Sequence, residues 1–100
     1  MINDLDSFED LLLGDDGLLT SLRLGYGLKQ DKVEKLCDIL KKLAEEWREE
    51  RSVPKKAVDI FIDFYPTIES VCNLYSENEA IIIMDAGDKI MDLIRECVIN

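Results

Sequence analysis

Histidine is absent from this chain of 100 residues. Its absence removes the usual general base, the usual proton shuttle and the commonest transition-metal ligand. Ser/His/Asp and Cys/His arrangements are excluded outright. Positive charge is also in short supply: 12 Lys and Arg stand against 22 Asp and Glu, for a net charge of −10. Nucleic acids and anionic membrane surfaces are held by basic patches, so neither is an expected partner. Cysteine is sparse, and Cys37, Cys72 and Cys97 are far apart. An odd, widely spaced set makes a poor disulfide framework and a poor zinc site, so buried free thiols are expected. A cysteine nucleophile would need an activator other than histidine. Long apolar runs are missing as well. The longest, residues 11–13 and 80–84, fall far short of a membrane span. The opening MINDLDSFED has no basic region and no long apolar run, which predicts no signal peptide and a reducing cytoplasm as the location.

What is present points to a folded helical chain. Hydrophobic residues make up 47% and charged residues 34%, a globular balance, and the length predicts a single domain over 1–100. The stretch from Lys29 to Arg51 is the clearest element. Val33, Leu36, Cys37, Leu40, Leu43, Ala44 and Trp47 recur every three or four residues, the period of one helical face. Lys, Asp and Glu fill most of the other positions, and neither Gly nor Pro interrupts.

The remaining segments read as helices too. Residues 3–13 predict a short helix capped by Asp4 or Asp6, ended by Gly14-Asp15-Asp16-Gly17. Leu18, Leu19, Leu22 and Leu24 predict a second, stopped by Gly25 and Gly27. After Pro54 the stripe 58, 61, 65, 68, 72, 75 keeps helical phase across Pro66, which predicts a kink or break near residues 63–65. Ser76 with Glu79 forms a capping box ahead of a last helix over 77–98, whose apolar band is unusually wide. One rival reading has 58–64 and 80–84 pairing as strands, since Val58, Ile60, Ile62 and Phe64 also alternate. The expected fold is all-α: a compact bundle of three long antiparallel helices, the middle one kinked at Pro66, plus two short N-terminal helices.

Chemistry, with histidine gone, rests on carboxylates. Glu45-Glu46 with Glu49-Glu50 resembles one half of the magnesium-holding pattern of all-α nucleotide pyrophosphatases. The other half, an E-x-x-D on a following helix, is missing; Asp59 and Asp63 stand there instead. Arg48 and Arg51 interleave with the glutamates, and Lys41 and Lys42 sit one turn before Glu45 and Glu46. Asp15-Asp16 is too short for a calcium loop. The acids of the last helix, Asp85, Asp88, Asp92 and Glu96, are spaced 3, 4 and 4 and trace one acidic edge, with Lys89 placed to pair with Asp85. Charge is concentrated toward the two ends: residues 1–28 hold six acids and one base, residues 76–100 six acids and two bases.

These observations set the functional expectations. No enzyme activity, metal or cofactor is expected. The partner is expected to be a basic protein, met by Asp15, Asp16, Asp85, Asp88, Asp92 and Glu96, with Glu45, Glu46, Glu49 and Glu50 as a secondary acidic face. Small size, acidity and the lack of a catalytic motif resemble, in kind, a bacterial immunity protein or antitoxin directed at a nuclease-type toxin. The alternative is a helical homodimer or scaffold joined through residues 77–98. A magnesium-dependent nucleotide pyrophosphatase is the third reading.

Overall fold

A computed structural model describes residues 3–99. Among them the chain is all-α, with no strand. Its elements are α1 (Asp4–Leu13), α2 (Leu18–Arg23), α3 (Gln30–Trp47), α4 (Lys55–Val71), a 3-10 turn (Cys72–Leu74) and α5 (Glu77–Ile99). The strand reading of 58–64 and 80–84 is thereby overturned, because both segments lie inside helices. Period-two alternation at 58–64 coexists with apolar residues three and four apart, and only the helical period continues on both sides.

Local chemistry explains most of the boundaries. The cap of α1 is Asn3, whose Oδ1 accepts from the Asp6 amide at 2.8 Å, rather than Asp4 or Asp6. Gly25 and Gly27 take φ of 80° and 88°, the left-handed region expected of residues that stop a helix. Ser76 Oγ accepts from the Glu79 amide at 3.2 Å, as the capping box predicts. Two expectations fail. α3 ends at Trp47 and not at Arg51, so Glu49 and Glu50 lie beyond the helix and are not stacked one turn above Glu45 and Glu46. Continuing would have set like charges one turn apart at the negative end of the helix dipole. The second is the break allowed for near residues 63–65: α4 runs through Pro66 without one. Pro66 removes the bond to the Ile62 carbonyl, and both residues are exposed, so water can satisfy that oxygen.

One buried cluster draws on all five helices. Val33, Leu36, Cys37, Leu40 and Leu43 of α3 form its floor, as their spacing requires. α3 carries both α1 and α5; α4 packs against α5, and α2 sits against α1 and α4. Phe8 of α1 meets Phe61 of α4 edge to face, ring centres 5.8 Å apart, and Trp47 closes over the same ring at 6.4 Å. α4 buries Ala57, Ile60, Phe61, Phe64, Ile68 and Val71. That face is rotated from the expected stripe: Phe64 is fully buried, whereas Val58 is exposed and Tyr65, Cys72 and Tyr75 are half-buried. The helix is apolar around most of its girth, so periodicity alone could not say which side would face the core.

Two contacts fix how the helices sit. A Cβ added at Gly87 of α5 would lie 2.9 Å from Cγ2 of Ile68, so α4 and α5 are close because this residue has no side chain. The Tyr75 hydroxyl donates to the Leu22 carbonyl at 2.8 Å and accepts from the Gly27 amide at 3.0 Å. It thus holds both sides of the turn between α2 and α3 from the far end of α4.

Candidate partner-binding surface

α5 places four acids on one edge because their spacing returns to the same face every turn. Asp85, Asp88, Asp92 and Glu96 are all exposed. Asp88 accepts from the Tyr65 hydroxyl at 3.0 Å, which orients its carboxylate without neutralising it. That hydrogen bond raises the Tyr65 pKa above its ordinary value; partial burial and the charges of Asp88 and Glu69 add to the rise, and Arg95 opposes it. Asp92 lies 3.8 Å from Arg95, in a pair exposed on both sides. Such a pair contributes little and is weakened by salt. Lys89, expected beside Asp85, forms no ion pair within 4.0 Å among the described residues. Its charge instead acts on Cys37 of α3.

The other acids are placed differently. Asp16 binds Lys29 directly and has Lys32 at 3.8 Å. The hydrogen bond and charge of Lys29 hold its carboxyl below the usual range. It ties the α1–α2 turn to the start of α3, although Asp16, like Asp15 beside it, is exposed. Both lysine partners of Asp16, Lys29 and Lys32, stand at the start of α3 and not on α5. Asp6 and Glu9 of α1 share Lys56 of α4, at 2.8 and 2.9 Å. Their hydrogen bonds raise the lysine pKa.

The secondary face at the end of α3 is divided. Glu45 lies 3.9 Å from Arg48. Glu46 faces Asp4, whose carboxyl hydrogen-bonds to it and raises its pKa, with Lys42 pulling the other way. Glu49 and Glu50 are exposed on the turn that follows. Among the described residues no group of three or more Cys, Asp or Glu is gathered so that it could hold a metal ion.

Beside the acidic edge runs a surface that the sequence did not mark. Between α4 and α5 lies an apolar groove of about 480 Å³. Val58 and Ile62 form one wall, Met91 and Val98 the other, over a floor of Phe61 and Ile94. Ile62 is 66% exposed and Val98 53%. Tyr65 and Arg95 belong to this groove and also to an adjoining hollow with Asp88 and Asp92, so apolar and acidic surfaces meet there. Val58 and Tyr65 belong to the stripe that the helical period assigns to the core, while Ile62 lies outside that stripe.

The thiols are free; Cys37 and Cys97 are buried and Cys72 half-buried. Burial raises all three pKa values, that of Cys97 to about 11, which leaves them protonated and poor nucleophiles. Among the described residues no helix is long and apolar enough to cross a membrane. Comparison with known proteins gives no match: no family model fits the chain, and no curated protein or solved structure resembles it significantly.

Proposed function

We propose that this chain is a small acidic binding protein, not an enzyme, which neutralises a basic protein partner in the cytoplasm. An immunity protein or antitoxin acting on a nuclease-type toxin is the form this reading takes. Nucleases are basic because their substrates are anionic, and a carboxylate-rich surface can occupy the same site while raising the rate of encounter. The observation that carries the reading is the α5 edge, where Asp85, Asp88, Asp92 and Glu96 are exposed and only Asp92 has a basic neighbour within 4.0 Å among the described residues. We read the supporting architecture as three long antiparallel helices, α3, α4 and α5, flanked by α1 and α2. The Tyr65–Asp88 and Ile68–Gly87 contacts support it, since they climb α4 while descending α5.

The test is capture on the immobilised chain from host lysate, beside the Asp88→Lys/Asp92→Lys variant. A basic nuclease-type protein retained by the first, released by raised salt and lost on the second is the expected result. Retention unaffected by salt and by the charge reversal would overturn it. The second reading, a homodimer through residues 77–98, draws on Ile81, Ile82 and Val98, each more than half exposed. Sedimentation as a monomer would remove it. The pyrophosphatase reading draws less support, because Glu49 and Glu50 lie beyond the end of α3.

A further inference from the structure

The α4–α5 groove differs from the rest of the exposed surface in combining two properties. Its walls are apolar, the exposed Val58 and Ile62 facing the exposed Val98 and the half-buried Met91, and its floor is the edge of the core itself, Phe61 and Ile94. Its rim is acidic on the α5 side, where Asp88 and Asp92 line the adjoining hollow. The one base lining the groove among the described residues, Arg95, lies 3.8 Å from Asp92 in an exposed, weakly held pair.

Charge and backbone chemistry narrow the occupant. A second copy would bring the same Asp88 and Asp92 toward their counterparts, on a molecule already carrying −10. Like charges set face to face oppose that pairing. A strand from a partner would find no sheet edge to join, since no strand exists among the described residues. What remains is recognition by side chains alone. The groove follows α4 from Val58 to Tyr65, two helical turns, which matches an apolar stripe at i, i+3, i+4 and i+7 on an incoming helix.

We propose that the α4–α5 groove receives one amphipathic helix of a basic protein, its apolar stripe between Ile62 and Val98 and its Lys and Arg flanks against Asp88 and Asp92. This rests on the reading of a basic partner and adds where and in what form that partner docks.

The probe is a synthetic 18-residue helix with a Leu stripe and Lys elsewhere (a length matching about five turns). Controls are a scrambled peptide of the same composition and a Glu-for-Lys peptide. Affinities for the full chain are measured by fluorescence anisotropy at two salt concentrations. The striped basic helix is expected to bind roughly ten-fold more tightly than the scrambled one, and Ile62→Gln/Val98→Gln to weaken it by a similar factor. Ile82→Gln, an exposed apolar site outside the groove, is expected to leave it unchanged. If both basic peptides bind alike, and only Asp88→Lys/Asp92→Lys weakens them, the groove proposal is overturned while the basic-partner reading stands. Equal binding of the Glu-for-Lys peptide overturns both. A dimer dispersed by Ile62→Gln/Val98→Gln would assign the groove to a second copy and overturn the proposal. Circular dichroism of each variant confirms that the helices are retained.

Discussion

α3 and α4 have nearly the same length, 18 and 17 residues, yet they end up in opposite situations. α3 has one apolar stripe and two helices, α1 and α5, to cover it. α4 is apolar on two sides. One side, with Ile60, Phe64 and Ile68, enters the core; the other, with Val58 and Ile62, stays open beside α5. A narrow stripe can be satisfied within one chain of this size, while a wide one leaves surface over. The surplus apolar surface lies next to surplus negative charge.

The contrast is sharpest in stability. Phe64→Ala is expected to lower the unfolding free energy by about 3–5 kcal/mol, through lost burial and a cavity, whereas Ile62→Ala should stay within about 0.5 kcal/mol. Urea unfolding of both variants measures this, and equal losses would erase the distinction between the two faces of α4. Gly87→Ala probes where α4 and α5 touch. Overpacking against Ile68 costs about 1–3 kcal/mol and outweighs a helix-propensity gain of about 1 kcal/mol, so a net loss is expected. A stabilised variant would show that α4 can move away freely.

Tyr75→Phe removes a donor and an acceptor and should destabilise by about 1 kcal/mol, with faster amide exchange at Gly27. The smallest effect is chemical. A thiol reagent should label Cys72 before Cys37 and Cys97 in the native protein. Burial raises the folded pKa of Cys97 from 9.0 to about 11. A raised folded pKa gives a stability contribution present in full below the unfolded value and lost as pH climbs through the folded one. Stability should therefore fall between those two pH values, and Cys97→Ala should flatten that decline.

Helix existence was legible because four of the five segments carry strong caps, glycine stops or a single clean stripe. Orientation was legible only where the stripe was narrow. Leu36 and Leu40 could face nowhere but inward, while Val58 and Phe64 competed on equal terms until α1 and α2 took the Phe64 side. The acids were legible as exposed, since nothing in the sequence demands their burial. Their pairing was not: Lys29 reaches Asp16 across 13 residues and Lys56 reaches Asp6 across 50, distances at which helical spacing gives no guidance. The groove escaped notice because it is a property of two helices at once.

The Tyr75 hydroxyl lies 53 positions from Leu22 and 48 from Gly27 in the chain. A polypeptide emerging from the ribosome therefore has its α2–α3 hinge unlatched until residue 75 has been made. A nascent fragment ending before that tyrosine keeps the Asp16–Lys29 tie but lacks the one that closes the hinge from the far side.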